Sequence, residues 1–171
     1  VDPLSSPLGI AAGKGHTEIV EKLIAAGAVI NYQNKNGGTP LYAACYYGHK
    51  QTVDVLLKNG ANVNLTTTVD LLSSPLGKAA GKGHTEIVEK LISAGAVINY
   101  QNKDGATPLY MACQNGHKQT VDVLLKNGAN VNLTKTVSLI KTLCAHGQRG
   151  LLYYVWSVCM YLLLSVTPQC A

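Results

Sequence analysis

Residues 37–64 read GGTPLYAACYYGHKQTVDVLLKNGANVN, and this stretch decides the fold. Thr39-Pro40 supplies a helix start. The Thr hydroxyl accepts from an exposed backbone N–H, and proline stands at the first helical position, where its missing N–H costs nothing and its fixed φ suits the helix. Leu41, Ala44 and Cys45 then give a short helix of small apolar residues, which Gly48-His49 breaks. Val53, Leu56 and Leu57 recur at helical spacing and predict a second helix from about Lys50 to Asn59. Gly60 stands where a left-handed C-terminal cap is expected. The Asn- and Gly-rich segment beyond it reads as an extended loop with a turn. Helices of two or three turns are marginal alone, so each must bury a face against a neighbour.

The same pattern occurs four times. Prolines at Pro7, Pro40, Pro75 and Pro108 mark units of about 33 residues, and Gly-His recurs at 15–16, 48–49, 83–84 and 116–117. Ser6-Pro7 to Asn31, Ser74-Pro75 to Asn99 and Thr107-Pro108 to Asn132 read as the segment above does. A higher-order duplication is superimposed, since residues 1–68 and 69–136 differ at only nine positions. Short helix pairs stacked in tandem are the logic of a solenoid. The units run at about 4–33, 34–66, 69–101 and 102–134, within an array over residues 1–134. Val1-Asp2 matches Val69-Asp70, so the chain starts at a repeat boundary and reads as a piece of a longer array. Residues 135–149 keep the register briefly, with Leu143 where a proline would open a fifth unit, and read as a degenerate repeat start or linker.

These motifs resemble the ankyrin repeat family. The resemblance rests on Gly-x-Thr-Pro-Leu at 37–41 and 105–109, on the four Gly-His pairs, and on closing segments such as VEKLIAAGAVIN (20–31) and VDVLLKNGANVN (53–64 and 121–132). It covers residues 4–134. It implies an all-α, helix–turn–helix solenoid of about four repeats with projecting β-turn fingers, binding other proteins on a concave surface and lacking an active site. Where the family usually carries His after Thr-Pro-Leu, this chain has Gly9, Tyr42, Gly77 and Tyr110. The contacts that this His makes are expected to be missing. Gly9 and Gly77 are each expected to cost their helices about 0.5–1 kcal/mol relative to Ala.

Composition narrows the chemistry. Charged residues make up 13% of the 171, the hydrophobic share is 47%, and the net charge is +5. The chain is therefore neither a charge-driven disordered segment nor a dense basic nucleic-acid binder. Its lysines are interspersed with acids, which argues against a groove that tracks phosphates. Five Cys with no CxxC pair argue against a disulfide framework and a zinc site. Gly77-Lys-Ala-Ala-Gly81-Lys82-Gly83 has three residues between its glycines and lacks the Ser or Thr of a phosphate loop. His16, His49, His84 and His117 stand a repeat apart and cannot share a metal, and Cys144-x-His146 lacks partners. Glu18 and Glu21 share a helix face with Lys14 and Lys22, the pattern of a solvated surface rather than a catalytic carboxylate pair. No catalytic residue, metal or cofactor is implied.

The candidate partner-binding residues are those that differ between the two copies. Counted from each unit's proline, Asn36/Asp104 lie at −4 and Gly38/Ala106 at −2. Ala43/Met111 and Ile10/Lys78 lie at +3, Tyr46/Gln114 at +6 and Tyr47/Asn115 at +7. Positions +3, +6 and +7 share one helix face. In an ankyrin-like array this window is the finger tip and the outward side of the inner helix. The site so read comprises Asn36, Gly38, Ala43, Tyr46, Tyr47, Lys78, Asp104, Ala106, Met111, Gln114 and Asn115. Tyr46 and Tyr47 are its anchor candidates, because tyrosine is enriched at interface hot spots. Drift at tolerant sites is the competing reading.

Residues 150–171 carry no charge, and Leu151–Val166 is a mostly apolar run. As a helix, residues 150–167 would extend about 27 Å, enough for a thin membrane. A membrane segment, a hydrophobic cap on the fourth unit and a translated non-coding segment stand as alternatives. Two functions follow: a non-catalytic protein-binding module, or a membrane-anchored structural or adaptor element located by its tail. Reduced cysteines within repeat helices place the repeats in the cytoplasm, whether or not the tail is anchored.

Overall fold

The computed structural model describes residues 6–68 and 73–133. All of them fall within the unit Val1–Thr136. The expected linker at 135–149 and the hydrophobic tail at 150–171 lie outside the described residues. Among the described residues there are eight helices and no strand, and no helix is long and apolar enough to cross a membrane.

The helices come in four pairs: α1 (Pro7–Lys14) with α2 (Thr17–Ala25), α3 (Pro40–Tyr47) with α4 (Lys50–Lys58), α5 (Pro75–Lys82) with α6 (Thr85–Ser93), and α7 (Pro108–Gln114) with α8 (Lys118–Lys126). Each inner helix begins as its sequence dictates. The hydroxyls of Ser6, Thr39, Ser74 and Thr107 accept from the backbone N–H of Gly9, Tyr42, Gly77 and Tyr110, respectively, with proline next to the cap. These recipients are the positions where the family has His, so the backbone there is held by the cap whatever side chain is carried. Gly48 and Gly83 close α3 and α5 in the left-handed conformation, φ +82° and +74°. Gly60 is left-handed as expected, φ +86°.

The inner helices pack α1 on α3, α3 on α5 and α5 on α7, while α2, α4, α6 and α8 form a second layer beside them. Small residues make the close approach feasible: Ala12, Ala44, Ala80 and Ala112 are completely buried. Leu8, Leu41, Leu56, Leu76, Leu91 and Leu124 fill the space around them. No aromatic side chain among the described residues belongs to this core.

Polar contacts stitch each pair to the next. His49 Nε2 meets the Gly13 carbonyl at 3.0 Å, and His117 Nε2 meets that of Gly81 at 3.1 Å. The Thr17 and Thr52 hydroxyls bond at 2.9 Å, and those of Thr85 and Thr120 at 2.8 Å. Between the second and third pairs, Lys50 pairs with Glu86 and Lys90 with Asp54.

Cys45 is completely buried, which pushes its thiol well above the ordinary cysteine range. Its copy Cys113 is exposed. In dilute native protein, a maleimide is expected to modify Cys113 readily and Cys45 only after denaturant is added, as read by peptide mass mapping. Equal modification of both would mean that the α3 core opens.

Candidate functional site

The candidate residues divide between two places. The first is the finger turn. Asn34 is buried, and its side-chain carbonyl accepts from the backbone N–H of Asn36 at 2.9 Å and of Gly38 at 2.8 Å. Gly37 N–H closes the turn on the Asn34 carbonyl at 2.8 Å, with φ +72°. Asn102 does the same for Asp104 and Ala106 in the second copy. Asn36 is exposed at the tip and Asp104 half-buried, whereas Ala106 is buried and presents no side chain to a partner. Gly38 is half-buried and holds the turn through its backbone.

The second place is the inner-helix face. Tyr46 and Tyr47 stand edge to face, ring centroids 4.8 Å apart at 76°. The Tyr47 ring is 55% exposed and stacks on His49 at 6.3 Å. Lys78 and Lys82 reach back from α5 to lay their ammonium groups 5.3 and 4.9 Å from the Tyr46 ring centroid. Such contacts stabilise by about 0.5–1 kcal/mol at exposed sites. Gln114 and Asn115 are exposed at the end of α7, with the Asn115 amide beside Gly81.

Position +3 departs from its expected role. Ala43 is buried on α3, which packs between α1 and α5. Met111 is half-buried across α5, close enough that a methyl group added at Gly81 would lie 3.2 Å from its Cε. Both residues serve packing between inner helices, and Ala43 offers nothing to a partner. The structure also adds Lys82, which comparison of the copies misses because its counterpart Lys14 is identical. The signal available was its place at +7 from Pro75, the position Tyr47 occupies relative to Pro40.

The face has one sign of charge. The four inner helices carry Lys14, Lys78 and Lys82 and no Asp or Glu. The outer helices carry Glu18, Glu21, Asp54, Glu86, Glu89 and Asp122. Among the described residues, no group of three or more His, Cys, Asp or Glu side chains is arranged to hold a metal ion.

A family model described as ankyrin repeats (3 copies) matches residues 2–67 and again 68–135. The chain is 36% identical over 104 residues to ankyrin repeat and KH domain-containing protein 1 of Homo sapiens, a match covering 61% of this chain and 4% of that protein. It is 36% identical over 106 residues to ankyrin repeat and SOCS box protein 11 of Homo sapiens, covering 62% of this chain and 32% of the relative. To the probable E3 ubiquitin-protein ligase XBOS32 of Oryza sativa subsp. japonica it is 41% identical over 91 residues, or 52% of this chain and 18% of that one. The chain thus spans a third or less of each of these relatives. Ankyrin repeats are protein–protein interaction modules and generally carry no catalysis of their own. Four capped helix pairs in two layers, matched by the family model over most of their length, establish that this chain belongs to the ankyrin repeat family.

Proposed function

We propose that the array holds a partner protein on the inner-helix face, and that the bound segment is acidic with an apolar or aromatic side chain among its carboxylates. The observation that carries this reading is the Tyr46–Tyr47–Lys78–Lys82 group on a face without acids. The tyrosine rings offer rigid contact area at small entropic cost, and the lysines steer and register a carboxylate-bearing segment. The two ammonium groups already lie over the Tyr46 ring, so little side-chain freedom remains to be lost on binding. Asn36 at a finger tip, with Gln114 and Asn115 at the end of α7, supplies polar contacts around these anchors.

The test is affinity capture from native lysate on the full chain, compared with Tyr46→Ala/Tyr47→Ala/Lys82→Ala, with both proteins confirmed folded by circular dichroism. The triple variant is expected to lose its principal partner by at least about tenfold, since a single hot spot contributes 2 kcal/mol or more. Capture by the wild type should also weaken as salt rises. Identical capture profiles for the two proteins would remove the inner-helix face from the binding site.

A further inference from the structure

The duplication gives each helix pair a twin of nearly the same sequence in a different setting, and the twins differ in what covers them. Val63, after α4, is 6% exposed, whereas its copy Val131, after α8, is 67% exposed. Cys45 is buried and Cys113 exposed. At the other end, Ile87 on α6 is 3% exposed, whereas its copy Ile19 on α2 is 49% exposed. The His84 ring lies over Gly48, 2.7 Å from where a methyl group would stand, whereas none of the described residues lies within 4 Å at Gly116, and His16 is exposed. An apolar groove of about 250 Å³ opens beside α7 and α8, lined by Leu109, Cys113, Val121, Leu125 and Val131 among others.

These two uncovered surfaces are related. The second pair stacks on the third through one face of α3–α4 and one face of α5–α6. The fourth pair repeats the first of these faces, and the first pair repeats the second. Among the described residues, the exposed faces of α7–α8 and α1–α2 therefore repeat the two complementary sides of the junction between α3–α4 and α5–α6. We infer that copies of this chain associate head to tail, α7–α8 of one copy stacking on α1–α2 of the next as α3–α4 stacks on α5–α6.

The contacts of the internal junction have counterparts at the ends. Lys50–Glu86 becomes Lys118–Glu18, and Asp54–Lys90 becomes Asp122–Lys22. His84 on the Tyr46 carbonyl becomes His16 on that of Gln114. Asn64, which donates to the Gly95 carbonyl and accepts from the Val97 N–H, becomes Asn132 with Gly27 and Val29. Two substitutions make the new junction weaker than the old one: Tyr46 is replaced by Gln114 and Lys78 by Ile10, which removes the ammonium–ring stack. The two faces differ, so the contact is heterologous, and a head-to-tail step that does not close on itself extends into an open chain of copies. This association uses the ends of the stack. It stands or falls independently of the partner proposed for the inner-helix face.

Sedimentation velocity of the full chain across about 1–100 μM tests it. The average mass is expected to rise with concentration and pass beyond the dimer. Val131→Asp blocks one end and Ile19→Asp the other, and both side chains are exposed in the single copy, so each variant keeps the wild-type circular dichroism spectrum. Each variant alone is expected to be monomeric. An equimolar mixture is expected to form a 1:1 heterodimer and nothing larger, because each variant retains the face the other lacks. A wild type that stays monomeric throughout, association that survives both substitutions, or a mixture that stays monomeric would each overturn the inference.

Discussion

Leu91→Ala is expected to lower the unfolding free energy of the array by about 3–4 kcal/mol, and Leu23→Ala by roughly half as much. Both leucines sit in the sequence Thr-Glu-Ile-Val-Glu-Lys-Leu-Ile, on α6 and α2, respectively. Local propensity and neighbouring side chains are therefore matched, and burial alone separates them. Leu91 is completely buried between the second and fourth helix pairs, whereas Leu23 is half-buried at the start of the stack. Truncating Leu91 leaves a cavity walled on both sides, and the loss of packing adds to the loss of transfer energy. At Leu23 one wall is solvent, which fills the space at no packing cost. Urea denaturation of dilute full chain, followed by far-UV circular dichroism, measures both. Equal losses would mean that the first pair is covered in solution as the third is.

A second expected result compares two glycines of like conformation. Gly83→Ala is expected to cost about 3 kcal/mol and Gly116→Ala about 1–2 kcal/mol. Both sit in the left-handed region, φ +74° and +72°, so the backbone strain of adding a side chain is common to them. At Gly83 a methyl group would lie 2.6 Å from the His117 ring, forcing it away from the Gly81 carbonyl. That hydrogen bond links the third pair to the fourth, so its loss is added to the strain. At Gly116 none of the described residues stands within 4 Å. Thermal unfolding of the two variants beside wild type gives the difference, and equal shifts would show that the His117 ring moves aside freely.

Local rules made most of the fold legible in the sequence. A hydroxyl followed by proline starts a helix through bonds confined to one turn, and Pro7, Pro40, Pro75 and Pro108 each mark such a start. Glycine ends these helices because only the residue's own φ is at issue, as at Gly48 and Gly83. What joins one pair to the next was not legible, because its partners lie far apart in the chain. His49 and Gly13 are separated by 36 residues, and the Gly-His pair had meant only a break between helices. The candidate site was half legible for a related reason. Helical spacing places +3 beside +6 and +7, but which edge of that stripe faces a neighbouring helix depends on how α1, α3, α5 and α7 lean together. That lean buried Ala43 and half-buried Met111, and it brought Lys82 to Tyr46.

The finger turn separates inheritance from novelty. Asn34 and Asn102 grip only backbone N–H groups of the residues at the tip, at 2.9 Å for Asn36 and 3.0 Å for Asp104. The side chain borne there takes no part in its own support. When the ancestral segment doubled, one descendant could exchange an amide for a carboxylate at the tip without redrawing the turn beneath it. A lineage of such units can try new tips one residue at a time, each trial leaving the frame as it was received.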